Sequence, residues 1–510
     1  MSLFSILYPE NYDRPVSEPL HAPEFFSDLN LDQITQAITA SKTSYHLNSI
    51  FYTPLDKIAP IRYRQEIMRD LERPEMVQIF RSFARAMQAL REHLAKMHQM
   101  YYSYQQKAWF VDAVELYGDL VTRLHEDLAR VQCTARGLKA FLDYVESYVG
   151  SNAFQTLRSD TRRMKQELAQ IRYSLQIKGN RVDIQPYHKE QDYSQEVRKT
   201  FQKFNQGTVK NYLIQFSDGP DLNPLEGRIL ERVAQLYPDV FGDLNDYCVD
   251  HADYMNETLA VFDREIQFYL STWEYIDPLK QAGLPFCYPL LSSSHKAVSV
   301  RESFDLALAY KFTQEQGKVV CNDVLLKDPE RILVVSGPNQ GGKTTFSRMV
   351  GQLHYLARLG CPVPGRAARL FLCDKILTHF EKQESVATLR GKLQDDLIRI
   401  RDILAEATGD SLIILNEIFT STSLKDASFL SYQILRQIIK RDAICVWVTF
   451  IDELASFNEK TVSVVGHVSP EQPALRTYKL VRKPADGLAY ALAIAEKHHV
   501  TYRWLKERIL

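Results

Sequence analysis

Residues 331–345 read RILVVSGPNQGGKTT, and this stretch decides the fold of the C-terminal half of the chain. Its first part, 332–335, is apolar and prone to form a buried strand. Residues 344–359 have the apolar spacing of a helix. From Gly337 to Thr344, the turn between them has the spacing G-x-x-x-x-G-K-[ST], which is typical of a phosphate-binding loop. The sequence therefore predicts a strand, a phosphate-binding loop and a helix in that order.

The residue types in this loop predict a bound nucleoside triphosphate. Gly337, Gly341 and Gly342 lack the Cβ atom that would keep the backbone from curling around phosphates. The N–H groups of the loop and of the following helix then face the anion. Lys343 is expected to reach the β- and γ-phosphates, and the Thr344 hydroxyl is expected to bind Mg²⁺. The predicted nucleotide-binding residues are Gly337, Pro338, Asn339, Gln340, Gly341, Gly342, Lys343, Thr344 and Thr345.

After this loop, strand and helix patterns alternate, as in a parallel sheet with crossover helices. Further strands are predicted at 411–415, 443–448 and 476–481. A P-loop ATPase needs acidic residues at the end of a second strand, one for the metal and one for the attacking water. Glu417 is predicted to be the catalytic carboxylate that orients or activates this water. Asn416 stands where an Asp would serve Mg²⁺, so it is predicted in the metal site with weaker affinity for the ion.

Before about residue 290 the sequence predicts long helices. Two apolar series step by three and four residues, which is the spacing of a heptad seam. The first series is Met76, Phe80, Phe83, Met87, Leu90, Leu94 and Met97. The second series is Met255, Leu259, Phe262, Ile266, Tyr269, Trp273 and Ile276. Two such seams predict an antiparallel bundle or stalk, and both ordinary core faces and a true coiled coil fit the spacing.

Between the two series lies a basic stretch with strand patterns. Residues 174–186 alternate around Gly179-Asn180, which predicts a hairpin, and 211–218 could add a strand. From residue 158 to residue 210 there are twelve Lys and Arg residues against six Asp and Glu residues. Such a stretch could contact a phosphate backbone or be a solvated helix surface. If DNA binds here, the predicted contacts are Arg172, Lys178, Arg181 and Lys189.

The composition is that of an ordinary globular protein. The chain has 510 residues, 45% hydrophobic and 25% charged, which is enough for about two to four domains. No apolar run reaches the roughly 18–20 residues of a membrane span, and the N-terminus lacks the pattern of a secretory signal. Seven scattered cysteines argue against a disulfide framework and structural zinc. We therefore expect a reduced, cytoplasmic protein, and a net charge of −1 does not exclude a basic face.

Several segments resemble the MutS ATPases of DNA mismatch repair. SGPNQGGKTT is similar to that family's phosphate-loop signature, and LIILNEIFTSTSLKDA is similar to its second strand and following loop. Residues 448–454 occupy the place of the family's Ala-Thr-His motif, 477–500 resemble its last strand and helix, and 53–72 resemble the start of its lever domain. The resemblance covers about residues 50–110 and 250–510. It implies a homodimer with ATP sites completed across the interface, and levers that move with nucleotide state.

The chain also departs from the family pattern. Phe450 stands where the family has a His near the γ-phosphate, and Gly391 aligns with the Ser that completes the partner's site. Together with Asn416, these changes predict nucleotide binding with slow or differently regulated hydrolysis. Too few residues precede the lever-like segment for the mismatch-recognition and linker domains, so we expect a short form that does not read mismatches directly. Asp395 and Asp396 are interpreted as solvated, because adjacent residues diverge on a helix.

Together these patterns predict a multidomain α + α/β fold. An all-α lever and core domain with a small clamp-like β-containing insertion is followed by a P-loop (ABC-type) α/β ATPase domain. The predicted boundaries are an N-terminal segment at 1–50, a helical domain at 51–290 with the insertion at about 171–220, and an ATPase domain at 291–510.

The leading functional hypothesis is an ATP- and Mg²⁺-dependent protein of DNA repair or recombination. It would bind branched or duplex DNA by shape rather than by base readout. The alternative is a nucleotide-dependent interaction or regulatory protein with weak ATPase activity and no direct DNA binding. A small-molecule kinase is a weaker third class, because no acceptor pocket or lid can be recognised and the heptad helices would go unexplained.

Overall fold

The chain forms two compact units in a computed structural model. The structure describes residues 4–10, 12, 18–179, 181–189, 222–315, 317–381, 391–468 and 476–484, together with residues 499, 501, 502, 504 and 506. The first unit comprises Met1–Pro74, Thr134–Leu138 and Arg264–Leu510, and the second comprises Glu75–Cys133 and Lys139–Asp263. The boundaries predicted at residues 50 and 290 concern functional domains and stay predictions.

Helices predominate before residue 285, and strands alternate with helices after it. The described α-helices are α1 (Phe25–Asp28), α2 (Leu31–Thr39), α3 (Asn48–Phe51), α4 (Ile58–Asp70), α5 (Pro74–Gln99), α6 (Ser103–Ala129), α7 (Arg136–Val149), α8 (Asn152–Gln170), α9 (Pro224–Leu236), α10 (Pro238–Asp250), α11 (Glu257–Gln281), α12 (Leu306–Gln314), α13 (Lys343–Leu359), α14 (Lys392–Glu406) and α15 (Leu424–Arg441). The described strands are β1 (Tyr173–Lys178), β2 (Arg181–Pro186), β3 (Phe286–Cys287), β4 (Leu290–Ser292), β5 (Val298–Ser303), β6 (Asn322–Leu326), β7 (Ile332–Ser336), β8 (Val363–Pro364), β9 (Ala367–Phe371), β10 (Ile376–Phe380), β11 (Leu412–Asn416), β12 (Ile444–Val448), β13 (Thr461–Val468) and β14 (Arg476–Arg482). None of the helices in the described ranges has the length and apolar character needed to cross a membrane.

A six-stranded sheet organises the first unit, with strand order β10-β11-β12-β7-β13-β14. Neighbouring strands from β10 to β13 are parallel, and β14 runs antiparallel to β13. The predicted strands are therefore confirmed as β7, β11, β12 and β14. In such a sheet the carboxyl ends of the parallel strands meet at one edge, where ligands bind in open α/β folds.

Helices cover both faces of this sheet. Ile413 and Leu415 point to one face, where they form a core cluster with Trp447 and with apolar residues of α14 and α15. Ile414 points to the opposite face, and its side chain lies close to Gly351 of α13. Because side chains alternate along a strand, the continuous apolar run of β11 fits a strand that is buried on both faces.

The N-terminal part of the first unit packs along α13. Four side chains of this helix, spaced by three or four residues, donate hydrogen bonds to backbone carbonyls before residue 56. The bonds run from Arg348 Nε to Asp28 O at 2.9 Å, from Gln352 Nε2 to Leu29 O at 2.9 Å, from Tyr355 Oη to Phe51 O at 2.6 Å and from Arg358 Nε to Leu55 O at 3.2 Å. At the end of the helix, Arg64 Nη1 donates to Leu359 O at 3.1 Å. The helix that follows the phosphate-binding loop is thus held along its length.

The predicted long helices are confirmed: α5 belongs to the second unit apart from Pro74, and α11 belongs to the second unit up to Asp263 and to the first unit from Arg264. The first apolar series lies on α5, and the second lies on α11 apart from Met255, which precedes that helix. Phe262 is stacked on Phe141 of α7 with ring centroids 3.5 Å apart, and it lies 5.7 Å from Phe80 and from Phe83. Because a third helix contributes to this contact, the series are core faces of a helical bundle at this position.

The predicted hairpin is also confirmed. Strands β1 and β2 are antiparallel, and Lys178 pairs with Arg181 across the connection. Cross-strand partners point to the same face, so these two cations project together from the tip. The other face carries Tyr173, Leu175 and Ile177, which are 40%, 45% and 72% exposed. The strand predicted at 211–218 lies outside the described residues.

Candidate nucleotide-binding site

The loop between β7 and α13 has backbone angles that favour glycine. Gly337 has φ +123°, and a Cβ atom there would lie 2.8 Å from Gly466 N. Gly342 has φ +90° and is the N-cap of α13. Gln340, which is not glycine, also has a positive φ of 59°. The loop therefore curls closely around the N-terminus of α13, as the glycine spacing predicted.

Lys343 is the first residue of α13, and 6% of its surface is exposed. Its Nζ atom lies 3.1 Å from Gly337 O, 3.2 Å from Pro338 O and 3.4 Å from Asn339 Oδ1. The Glu417 carboxylate is the nearest anion, at 3.6 Å between Nζ and Oε1. Burial lowers the pKa of the Lys343 ammonium, and the charge of Glu417 opposes this shift. The predicted phosphate cation and the predicted catalytic carboxylate are therefore neighbours.

Asn416 and Glu417 lie where β11 ends. Glu417 has φ +53°, and its N–H donates to Val448 O at 2.9 Å. The Asn416 side chain is buried, and its Oδ1 accepts no hydrogen bond from any residue that the structure describes. A buried, unpaired amide oxygen is costly, so it is a candidate ligand for a metal ion or a metal-bound water. Phe450, after β12, is 49% exposed, and the exposed Gly391 is the N-cap of α14.

A cleft of about 410 Å³ joins the loop to an apolar region. Gln340, Lys343, Thr344 and Glu417 line one end. The other end is lined mainly by aromatic and aliphatic side chains, among them Phe304, Leu308, Phe312, Val319, Val320 and Tyr478. No pattern in the sequence indicated this apolar end, because its residues come from three separate segments without a shared motif.

The cleft fits a nucleoside triphosphate with Mg²⁺. Its volume is within the roughly 300–1,000 Å³ of small-molecule sites, and it has one polar and one apolar end. The Thr344 hydroxyl at the polar end is the kind of oxygen ligand that Mg²⁺ takes, whereas the buried Asn416 precedes Glu417 and does not itself line the cleft. No group of three His, Cys, Asp or Glu residues that could hold a metal was found in the described part of the chain.

The four predicted DNA contacts belong to the second unit. Arg172, Lys178, Arg181 and Lys189 are all exposed. Arg181 Nε donates to Asp183 Oδ1 at 2.8 Å, which offsets part of its charge. The structure therefore brings Lys178 and Arg181 together at the hairpin tip, whereas Arg172 precedes β1 and Lys189 follows β2. The remainder of the basic stretch, from residue 190 to residue 210, lies outside the described residues.

Replacing Gly337 by Ala tests the shape of the loop. The added Cβ would meet the backbone of Gly466 and would be strained at φ +123°. We expect the free loop to relieve this strain by moving away from Gly466. If regaining the binding conformation then costs about 1.4 kcal/mol, within the usual range for such positions, affinity for a fluorescent ATP analogue in equilibrium titration falls about tenfold. Gly242→Ala is the matched control, because nothing lies within 4 Å of its added Cβ. Unchanged affinity in Gly337→Ala would contradict the assignment of this loop.

Comparison with known proteins supports the predicted resemblance. Residues 333–503 match the family model described as MutS domain V. DNA mismatch repair protein MutS of Ruminiclostridium cellulolyticum is 24% identical over 287 residues, which cover 54% of this chain and 32% of that protein. The proteins of the same name from Thermotoga petrophila and Halalkalibacterium halodurans are 26% and 27% identical, again over 54% of this chain and over 34% and 32% of theirs. The chain thus spans about a third of the length of these curated relatives, and its C-terminal half is MutS-like.

Proposed function

We propose that this chain is a MutS-like protein that binds ATP with Mg²⁺ and hydrolyses it. The observation that carries the proposal is the single cleft shared by the phosphate-binding loop and Glu417, with Lys343 Nζ 3.6 Å from the carboxylate. The match of residues 333–503 to MutS domain V supports it. In this proposal Gly337–Thr345 bind the phosphates, and the apolar end of the cleft receives the base.

Glu417 is the proposed catalytic group. Its carboxylate would accept a hydrogen bond from the attacking water and orient it toward the γ-phosphate. Lys343 would then stabilise charge on the phosphate oxygens rather than stay paired with Glu417. Bound Mg²⁺ would neutralise charge that develops on the β- and γ-phosphates. Phe450 brings no polar group near this position, which supports slow turnover.

Glu417→Gln separates binding from hydrolysis. The amide has almost the same shape but is a poor base, so we expect turnover to fall by at least about 10²-fold, while affinity for ATP changes little. Single-turnover hydrolysis and analogue titration measure the two effects. Glu453→Gln serves as the control, because it changes an exposed acid that follows β12 rather than β11. Turnover at the original rate in Glu417→Gln would reject Glu417 as the catalytic carboxylate.

The proposed metal site can be tested by restoring a carboxylate. Asn416→Asp adds a negative charge where the buried amide oxygen has no partner among the described residues. We expect half-maximal hydrolysis at a Mg²⁺ concentration about tenfold lower than in the original protein, because a carboxylate binds the ion more strongly than an amide. An unchanged Mg²⁺ dependence would show that residue 416 does not act on the metal.

The proposal extends to a homodimer that acts on DNA in the cytoplasm. Family resemblance supports a site completed by a second copy, with Gly391 offering backbone rather than a hydroxyl group. Nucleotide state would move the helices of the second unit, provided that ATP binds their two arrangements with different affinity. Lys178 and Arg181 at the hairpin tip would contact phosphates of branched or duplex DNA by shape.

Neutralising the hairpin tip tests the DNA contact. We expect Lys178→Ala/Arg181→Ala to reduce affinity for a branched duplex about tenfold at low salt. The slope of log affinity against log salt should become shallower by up to about two. Fluorescence anisotropy between 50 and 200 mM salt measures both. Lys96→Ala/Lys139→Ala removes two exposed cations elsewhere in the same unit and should have little effect.

A nucleotide-dependent interaction protein is the second candidate. The exposed apolar face of the hairpin, with Ile177 72% exposed, is better suited to a protein partner than to phosphates. The same titrations distinguish the candidates. Failure of the original protein to retain branched DNA at low salt, with intact ATP binding, favours this second function.

A further inference from the structure

A buried His–Asp pair lies beside β11, the strand that immediately precedes Glu417. His379 is on β10, opposite Leu415 of β11, and Asp396 is on α14. Their side chains are 2% and 11% exposed, and Nε2 lies 3.0 Å from Oδ1. This close approach is not an aligned hydrogen bond, because neither ring nitrogen of His379 makes one with a described residue. Asp396 was predicted to be solvated, and this prediction is wrong: it lies on the apolar face of α14 that includes Ile400.

The second oxygen of Asp396 reaches the turn after β11. Phe419 N–H donates to Asp396 Oδ2 at 3.2 Å. Phe419 has φ +62°, and Glu417, two residues earlier, has φ +53°. Non-glycine residues rarely adopt this region. Each such residue costs about 1–3 kcal/mol, so the conformation persists only where the surroundings impose it.

This strained turn is held at both ends. At the start, Glu417 N–H donates to Val448 O at 2.9 Å. At the end, Phe419 N–H donates to the Asp396 carboxylate, and its ring is fully buried in the core. A buried carboxylate is itself costly without partners, and the Phe419 N–H group supplies one, while His379 Nε2 lies 3.0 Å from the other carboxylate oxygen. The Asp396 carboxylate is therefore in a position to fix the backbone conformation from Glu417 to Phe419, and with it the direction of the Glu417 side chain.

We propose that Asp396 is a positioning residue for ATP hydrolysis. By accepting the hydrogen bond from Phe419 N–H, it fixes the 417–419 turn and so the distance from the Glu417 carboxylate to Lys343. His379 holds Asp396 in place. The inference rests on the proposed catalytic role of Glu417. Misplacing a reacting group by about 1 Å can cost on the order of 10²-fold in rate, so a contact outside the cleft can control turnover.

Asp396→Ala is the first test. We expect its single-turnover rate to fall by about 10- to 100-fold, with the affinity for an ATP analogue within about threefold of the original. A merely structural role would instead lower the melting temperature and affinity together. Asp395→Ala is the matched control, because it changes the adjacent carboxylate of the same helix and should leave the rate unchanged.

Asp396→Asn is the conservative variant. Its amide oxygen can still accept from Phe419 N–H, so we expect a smaller loss of about three- to tenfold. Amide hydrogen exchange of residues 417–419 should be faster in both variants, and this readout is independent of activity. If Asp396→Ala does not fold, Asp396→Asn becomes the deciding variant. If it hydrolyses ATP at the rate of the original protein and the amide hydrogen exchange of residues 417–419 is unchanged, the proposal is overturned.

A double variant separates this inference from the proposed function. If Asp396 acts through Glu417, Asp396→Ala/Glu417→Gln should hydrolyse ATP no more slowly than Glu417→Gln alone. A fully additive loss would overturn the coupling. If Glu417→Gln has the original rate, the proposed catalytic role fails. If Glu417→Gln is inactive while folded Asp396→Ala has the original rate, the positioning role alone fails.

Discussion

The Lys343 ammonium is buried between the phosphate-binding loop and Glu417, and a charge in such a place must have partners. Two loop carbonyls and the Asn339 side chain provide neutral acceptors, while Glu417 provides the nearby negative charge. The loop can bring these carbonyls inward because Gly337 adopts an angle that other residues rarely adopt. The geometry of the candidate nucleotide site follows from this one buried cation, since a bound phosphate would take over the contacts that the acceptors now make.

Backbone strain is concentrated around the same cleft. Three residues that line it, Gln340, Glu417 and Tyr478, have positive φ angles. Phe419, two residues after Glu417, also has a positive φ angle. Tyr478 is held by Asn322, whose Nδ2 donates to Tyr478 O at 3.1 Å while its Oδ1 accepts from Leu480 N–H at 2.8 Å. Such conformations persist where the surroundings impose them, and they are frequent at functional sites. The scaffold thus fixes backbone positions on several sides of the place proposed for the nucleotide.

The sequence predicted the parts of the site that local patterns encode. Lys343 could be recognised by glycine spacing, and Glu417 by its place after an apolar strand. Asp396 could not, because its burial depends on His379 and on a distant backbone N–H group rather than on its neighbours in the chain. Its spacing from Ile400 was the available signal, but a charged residue at such a position is usually solvated. The apolar end of the cleft was missed for a similar reason, since Phe304 and Tyr478 meet only in the folded unit.

The hydrogen bonds between the N-terminal segment and α13 affect whether the C-terminal part of the chain can be separated from that segment. The acceptors from Asp28 to Leu55 are main-chain carbonyls, so their side chains can vary without loss of the hydrogen bonds. The donors on α13 are side chains, among them Gln352, which is fully buried. A fragment that began at residue 291 would leave these donors unpaired and expose the surface that they line. The segment that matches in sequence is therefore smaller than the unit within which the side chains of α13 find their hydrogen-bond partners.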